Sequence, residues 1–229
     1  MKKKVKLFST IASLCLAVAL MAFGVWAASN ANFGVTSTVK YTLSGQVQAT
    51  FTVKVFYNKT VVKTSMEDNK QGEYTSGYTN KPVSAENADE VYNEWSYKQE
   101  AGKVGYNLTE SDVIKLGNYT FKPNAVAKDG ENAGSTVTYV IEVVNESTTE
   151  ALKVTLTNLP ATYVEGDAIK NTPAADNTAL ETGKFATIEK NNGKFTYKVT
   201  YELVNATKEG QCTFNPSVAL EAVVATSGD

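Results

Sequence analysis

Few residues of this chain have side chains that could carry out chemistry near neutral pH. The sequence contains no histidine, and all 22 of its basic residues are lysine. The usual general base is therefore missing, and with it Ser-His and Cys-His nucleophile pairs. A glycine-rich phosphate loop and a Gly-x-Ser-x-Gly elbow are also absent from the sequence. The 24 acidic residues could supply a pair of catalytic carboxylates, but no spacing indicates one. We therefore predict that the protein is not an enzyme and uses no cofactor.

One loop carries oxygen ligands that are close together. Asp129, Glu131 and Asn132 lie in the polar segment 124–134. Carboxylate and amide oxygens suit calcium, but the spacing of a calcium-binding helix–loop–helix is missing. A solvated turn is the better interpretation, so we predict no metal site.

Aromatic residues cluster in the polar, turn-rich stretch 64–105. Asn87 and Glu90 have the spacing of a capping box, and apolar residues follow at helical intervals, which predicts a short helix at 87–97. Aromatic residues at such spacing more often pack in a core than bind a ligand. The alternative is a platform for carbohydrate or protein, with Tyr92, Trp95 and Tyr97 as its candidate residues. Trp95→Ala would abolish glycan binding on a platform, but would mainly lower stability in a core.

The N-terminus has the composition of a secretory signal peptide. Four of the first six residues are lysine, and an apolar run without charge extends from residue 7 to residue 28. A basic start, an apolar core and small residues at its end predict export, with a signal segment 1–27 and cleavage after Ala27 or Ala31. An uncleaved helical anchor is the alternative, because the run is just long enough to span a bilayer. A signal peptidase would be a partner during export, and the membrane a partner through this segment alone.

Removal of the signal segment changes the cysteine count and the charge. Cys15 lies inside the apolar run and follows Leu14, unlike a lipid-attachment cysteine. Only Cys212 remains after cleavage, so no intrachain disulfide can form. The loss of four lysines leaves 18 lysines against 24 acidic residues, a formal charge of −6. We therefore do not expect nucleic acid to be a partner.

The segments that must position these residues alternate between apolar and polar side chains. The clearest segments are 33–43, 47–57, 137–143, 152–156 and 194–204. A period of two predicts strands that are buried on one face. Residues 113–121 suit either a helix or a strand with a bulge at Gly117. Asn192 and Gly193, between two alternating runs, predict a β-hairpin. Pro216 interrupts the last strand and predicts an edge position or a bend between sheets.

These segments together predict an all-β protein. We expect one antiparallel β-sandwich of about seven to nine strands, of jelly-roll or Ig-like type, with one short helix in an insert and a signal helix ahead of it. The sandwich would span residues 32–229, with irregular inserts at 64–105 and 161–183. Two tandem Ig-like domains divided near 124–134 are the alternative.

Three segments resemble one known family. The signal ends in GVWAASNANFGV and leads into a long alternating strand, the centre reads GSTVTYVIEVVNESTTEALKVTLTN, and the chain closes with FNPSVALEAVVA. Together they resemble the TasA/camelysin family of secreted Gram-positive proteins. The resemblance implies export through a SipW-type signal peptidase, a jelly-roll-like sandwich and, as in its best-known members, assembly into biofilm matrix fibres. It also favours a strand at 113–121. The central segment also resembles the Ig-like repeats of bacterial surface adhesins.

We therefore predict an extracellular structural or adhesive protein, a subunit of a matrix or surface fibre. Its partners would be copies of itself or other matrix and surface components. The candidate assembly element is the strand at 32–43, because its pairing partner can be chosen only after the signal is removed. This strand would fold back onto its own sheet or complete the open edge of the next molecule, with Val35, Val39 and Tyr41 giving register. A pilin-like subunit stiffened by a Lys-Asn isopeptide bond is a further alternative.

Overall fold

Regular structure in the described part of the chain is entirely β. The computed structural model describes residues 33–44, 47–58, 60–64, 70–71, 74–75, 81–82, 90–98, 113–122, 134–207 and 209–223. These residues form fifteen strands, numbered here in chain order, in two large sheets that pack as a sandwich and one two-stranded sheet. They include no helix long and apolar enough to cross a bilayer. The predicted signal segment and its cleavage sites lie outside the described residues.

The first sheet has seven strands. They are β1 (Phe33–Ser44), β3 (Val61–Thr64), β8 (Val113–Phe121), β10 (Ala151–Thr157), β12 (Phe185–Ile188), β14 (Gly210–Phe214) and β15 (Ser217–Val223). Their order across the sheet is β12-β10-β15-β1-β8-β3, and β14 pairs with β1 as well. β1 is parallel to β14 and β15, and the other pairs of this sheet are antiparallel.

The second sheet has six strands, all paired antiparallel. They are β2 (Ala49–Asn58), β6 (Lys81–Pro82), β7 (Glu90–Lys98), β9 (Thr136–Asn145), β11 (Ile169–Pro173) and β13 (Lys194–Leu203), in the order β11-β13-β9-β2-β7-β6. The short strands β4 (Lys70–Gln71) and β5 (Tyr74–Thr75) form the two-stranded sheet. The strand count exceeds the predicted seven to nine because the stretches predicted to be irregular contain strands of their own, such as β11 in 161–183.

The core lies between the two large sheets and is built from the alternating residues. The buried positions of β2, β9 and β13 follow the predicted period of two, so the predicted inward faces are confirmed. The exception is Val140, which is also buried although it lies on the other face of β9. Among the described aromatic pairs that cross from one sheet to the other, two are stacked. Tyr41 stacks on Phe51 with ring centroids 5.3 Å apart, and Tyr139 stacks on Phe214 at 4.2 Å. Because stacked rings add to the free energy of burial, these pairs hold the two sheets together.

The predicted helix at 87–97 is wrong. Residues 90–98 form β7, which pairs with β2 along its full length, from Glu90 opposite Asn58 to Lys98 opposite Thr50. A capping box stabilises a helix by about 1 kcal/mol, whereas a nine-residue ladder satisfies a whole row of backbone groups on β2. Pairing with β2 therefore outweighs the local helical signal. Asn87, the predicted cap, lies outside the described residues.

The predicted hairpin at Asn192 and Gly193 is also wrong. A turn is present there, with positive φ at Asn191 (61°) and Asn192 (67°). However, β12 before it belongs to the first sheet and β13 after it belongs to the second. The turn is instead bonded to the end of β9, since the Asn192 N–H donates to the Asn145 carbonyl at 2.9 Å. It therefore forms a corner between the sheets.

Both large sheets combine strands from the two sides of residues 124–133. Three strands of the first sheet (β1, β3 and β8) and three of the second (β2, β6 and β7) come before this segment, and the other strands of both sheets come after it. Neither half of the chain therefore contains a complete sheet. We expect a chain cut at an engineered protease site after Lys128 to stay associated and folded during gel filtration under native conditions. A folded C-terminal fragment that elutes alone would contradict this expectation and favour two tandem domains.

Candidate functional site

The predicted assembly element, β1, lies in the middle of the first sheet and is paired along both edges. On one edge it runs antiparallel to β8, from Gly34 opposite Thr120 to Lys40 opposite Val113. On the other edge it runs parallel first to β14 and then to β15. These three strands, β8, β14 and β15, therefore form a slot that β1 fills, and we call them the slot strands.

The three residues predicted to give register are all buried in this slot. Val35, Val39 and Tyr41 are 1 %, 0 % and 1 % exposed. Val35 lies opposite Cys212 of β14, and Tyr41 stacks on Phe51 of the second sheet. The structure thus brings all three to the core face of β1, where they anchor the strand.

A β-bulge in β8 lies opposite the middle of β1. The register shifts between Ser37, which is opposite Gly117, and Thr38, which is opposite Lys115, so Leu116 has no partner across this ladder. Gly117 has a φ of 100°, which glycine adopts at little cost because it has no Cβ. The predicted strand at 113–121, with its bulge at Gly117, is confirmed.

Ser37 is a polar residue on the otherwise apolar core face of β1, and it is 2 % exposed. Its hydroxyl donates a hydrogen bond of 2.7 Å to the Gly117 carbonyl. On the same bulge the Tyr119 hydroxyl donates to the Leu116 carbonyl at 2.9 Å. The alternation placed Ser37 on the inward face but gave it no role. The signal that could have revealed one is a single hydroxyl within an apolar row.

Gly34 lies where β1 comes closest to β8. A Cβ on Gly34 would be 2.6 Å from the Tyr119 carbonyl oxygen, which is a backbone atom. Contacts this short do not occur, and a paired strand has little room to move away. A larger residue at position 34 would therefore push β1 away from β8.

Pro216 separates the two parallel slot strands. The predicted bend between sheets is wrong, because β14 and β15 lie in the same sheet and both pair with β1. The alternative prediction, an edge position, fits β14, whose one partner among the described strands is β1, whereas β15 lies between β1 and β10. Pro216 falls where pairing passes from Phe214 opposite Ser37 to Ser217 opposite Lys40. The Lys40 N–H donates to the Pro216 carbonyl at 3.1 Å. The sheet therefore tolerates a proline at the junction between the two strands.

A cavity of about 240 Å³ lies beside β14, with Tyr201, Cys212 and Asp167 in its lining. Burial, and secondly the Asp167 carboxylate, raises the pKa of the Cys212 thiol. The thiol is then largely protonated near neutral pH and is a weak nucleophile. Burial also raises the pKa of the Tyr201 hydroxyl. Neither group is activated for nucleophilic chemistry.

The Tyr201 hydroxyl is buried and has no hydrogen-bond partner among the described residues. We expect Tyr201→Phe to leave the free energy of unfolding unchanged or to raise it by up to about 1 kcal/mol, because the cost of burying an unpaired hydroxyl is removed. Tyr119→Phe is the matched comparison and should lower it by about 1 kcal/mol, because a made hydrogen bond is lost. Urea unfolding measures both. An equal loss in the two variants would mean that Tyr201 has a partner.

The candidate aromatic platform falls on β7. The side chains of Tyr92, Trp95 and Tyr97 lie outside the described residues. The register of β7 on β2 places Trp95 opposite Val53, a buried core residue, and Tyr92 opposite Phe56, which is half-buried. The platform therefore stays a prediction from the sequence.

A groove of about 400 Å³ runs over the outer face of the second sheet. In it the Lys54 amine forms an ion pair with the Glu142 carboxylate. The Thr138 hydroxyl, also in the lining, shares a hydrogen bond of 2.8 Å with the Thr200 hydroxyl. These polar groups bond to one another, so the groove gives no specific indication of a ligand.

The sequence raised the possibilities of a metal site and of a Lys-Asn isopeptide bond, and the described part of the chain bears on both. Within it, no three acidic or cysteine side chains are grouped closely enough to hold a metal ion. The acidic loop with Asp129, Glu131 and Asn132 lies outside it. The buried Asn145 directs its amide at the carbonyls of Glu150, Ile188 and Glu189, at 2.9, 3.3 and 3.2 Å. This amide holds a corner of the fold and makes no bond to a lysine.

Comparisons with known proteins add little to this description. No family model matches the chain, and no curated protein matches it. Among solved structures, the major pilin from Streptococcus pyogenes is similar at 9 % identity and a TM-score of 0.15, over 84 % of this chain and 98 % of the pilin. A TM-score this low does not show a shared fold, so this similarity indicates neither the fold nor the function of the protein.

Proposed function

We propose that this chain is a secreted, non-enzymatic structural or adhesive protein of the bacterial cell surface or extracellular matrix, and that its subunits join by donating β1 to the slot of the next copy. The observation that carries the proposal is how β1 is connected. Its neighbour in sequence, β2, lies in the other sheet, so no hairpin ties β1 to a strand that it pairs with. Even β8, its nearest pairing partner in sequence, is 80 residues away at the Ser37–Gly117 contact.

A strand that is held in its sheet by pairing and packing, without a hairpin to either neighbour, can be supplied by another molecule. The slot offers main-chain partners on both edges of β1, which gives affinity, and apolar positions for alternate side chains, which gives specificity. In an exchanged assembly, the connection between β1 and β2 would have to lead outward to the next copy. Nothing else in the connectivity of β1 has to change.

Strand donation of this kind propagates. The donor strand and the slot are different surfaces of the molecule, so the contact is head-to-tail and leads to a filament unless the rotation between subunits closes a ring. In dilute solution, pairing of β1 with its own slot is favoured over pairing with another subunit, because the chain's own strand has a high effective concentration. Exchange is favoured when many copies are released together, as cleavage of a signal segment at a membrane would do.

The sandwich is proposed to be of jelly-roll or Ig-like type, preceded by a signal helix at 1–27. Support for a jelly roll comes from the order of the strands, since β9 to β13 alternate between the two sheets at every step, as do β1 to β3. The resemblance of three sequence segments to the TasA/camelysin family supports the same fold, export through a SipW-type signal peptidase and assembly with copies of itself.

Electron microscopy of the chain that begins at Ala28 tests this function. We expect filaments that become longer and more numerous as the protein concentration rises, because intermolecular pairing must compete with folding back. The full chain with residues 1–27 retained is the control and should not form them, since its strand is held beside the apolar segment. Single particles of monomer size at every concentration would contradict the proposal.

A further inference from the structure

The alternation of β1 determines which face is buried, but it does not determine how far the strand slides in its slot. A slip by two residues in either direction keeps the same face toward the core. In a hairpin the turn would fix the register, but β1 has no turn to any of its partners. A strand that enters the slot from another subunit must therefore carry its own register information.

Ser37 supplies part of this information on the core face. In the observed register its hydroxyl donates to the Gly117 carbonyl at the bulge of β8, at 2.7 Å. A slip by two residues would bring Val35 or Val39 opposite Gly117. The carbonyl would then lose its hydroxyl donor, and Ser37 would be buried at a position where no bulge carbonyl faces it. Leaving buried polar groups unpaired is costly, so both slips are disfavoured.

Gly34 supplies independent information on the other face. Its backbone lies so close to β8 that a Cβ would be 2.6 Å from the Tyr119 carbonyl oxygen. The same slips would bring Asn32 or Thr36 to this place. Both residues have a Cβ, and the atom in the way belongs to a paired backbone. Sterics at Gly34 and hydrogen bonding at Ser37 therefore exclude the same two slips for different reasons.

We propose that Gly34 and Ser37 form a register lock, a Gly-x-x-Ser pair that admits β1 to the slot strands in one register only. Its role between subunits rests on the proposed function, whereas its effect on register holds for whichever chain supplies β1. The lock also defines the partner. The slot accepts an extended segment with glycine and serine three residues apart and apolar residues at the places of Val35, Val39 and Tyr41, and it rejects alternating strands without that pair.

Disulfide trapping against Cys212 reads the register directly. In the chain that begins at Ala28, Cys212 is the only native cysteine, and it lies opposite Val35 in β14. Val35→Cys should form a disulfide with Cys212, since facing residues of paired strands lie within the range of Cα distances that a disulfide spans. Ser37→Cys alone, opposite Phe214, should not. Mass spectrometry of the digested, unreduced protein identifies the linked peptides.

Moving the lock should move the strand. A chain with Gly34→Thr, Thr36→Gly, Ser37→Cys and Val39→Ser carries the same pair two residues later, so we expect a disulfide between position 37 and Cys212. If this chain folds and remains unlinked like Ser37→Cys, the lock is wrong. If Val35→Cys also fails to link, the observed pairing itself is wrong. At protein concentrations that should give filaments, disulfides found only within single chains would leave the lock intact and contradict the proposed assembly.

A milder pair of variants covers the case in which the moved lock does not fold. In the Val35→Cys background, Ser37→Thr keeps the hydroxyl, whereas Ser37→Val has nearly the same shape without it. We expect Thr to retain the yield of the disulfide between position 35 and Cys212, and Val to reduce that yield about fivefold or more, as the loss of one buried hydrogen bond implies. Equal yields in the two variants would show that the Ser37 hydroxyl does not set the register, and would overturn the proposal of a Gly-x-x-Ser pair.

Discussion

A chain that lacks residues 32–43 is expected to lose its stable folded monomer. The deletion removes Phe33, Val35 and Val39, each at most 1 % exposed, and burial of such side chains contributes about 1.5–3 kcal/mol apiece. A whole domain is stable by only about 5–15 kcal/mol. The deletion also leaves β8, β14 and β15 without their central partner. Urea unfolding and gel filtration should show a loss of the cooperative transition, or aggregation through the open edges.

A synthetic peptide of residues 32–43 should reverse this effect. Added during refolding, it should restore a soluble complex with a cooperative transition, and the complex should not polymerise because its slot is filled and it has no strand to donate. The control is a peptide of the same composition in which Val35 and Thr36, and Val39 and Lys40, are exchanged. Equal rescue by both peptides, or filaments that form as well without the strand, would contradict the assignment of β1 as the assembly element.

The second large effect is expected at Asn145, which ends β9 at the corner between the two sheets. It is 1 % exposed, and its side-chain oxygen accepts a hydrogen bond from the Ser147 N–H at 3.1 Å, while its amide donates to three carbonyls. Asn145→Ala should lower the free energy of unfolding by about 2–4 kcal/mol, because several buried backbone groups lose their partner at once. Asn145→Asp should cost at least as much, since a carboxylate would face carbonyl oxygens.

A matched asparagine shows whether burial is the cause. The Asn205 side chain accepts a hydrogen bond from the Thr207 N–H at 2.9 Å in an exposed turn. Asn205→Ala should therefore cost no more than about 1 kcal/mol in the same urea titration. If Asn145→Ala costs no more than Asn205→Ala, the corner does not depend on this side chain.

The corner also shows why a correct local signal led to a wrong connection. Asn-Gly predicts a turn, and a turn forms at 191–193. Gly193 is needed there because a Cβ would be 2.2 Å from the Glu189 carbonyl oxygen. Which strands the turn joins depends on Asn145 and Ser147, more than 40 residues earlier in the chain. A local dipeptide carries no information about those partners.

The inward faces of the strands were predictable, whereas the helix prediction failed. A period of two is a property of each segment, so residues such as Val137 and Phe195 could be assigned to the core from the sequence alone. In β7, Val91 and Trp95 fit a helical spacing and an alternating one equally well, because they are four residues apart. The open edge of β2 decides between them, and that edge exists only once the second sheet has formed.

The slot itself lies beyond local sequence patterns. The sequence indicated β1 as an assembly element from its position after the signal, with Val35, Val39 and Tyr41 as its anchors. Gly34 and Ser37 have a role only against the Tyr119 carbonyl and the Gly117 bulge. Those groups are about 80 residues away in sequence, as the Ser37–Gly117 contact shows, and no local pattern joins them to β1.

Strand donation between subunits can be tested most directly by dividing the disulfide pair between two chains. One chain carries Val35→Cys and Cys212→Ser, the other keeps Cys212 with Val35 unchanged, and both begin at Ala28. The two are mixed under conditions that give filaments, oxidised at mildly alkaline pH because the pKa of the Cys212 thiol is raised, and separated on a non-reducing gel. We expect covalent heterodimers that join position 35 of the first chain to Cys212 of the second, and few with Thr36→Cys on the outer face as donor. Absence of heterodimers, while Val35→Cys alone links fully within single chains, would contradict it.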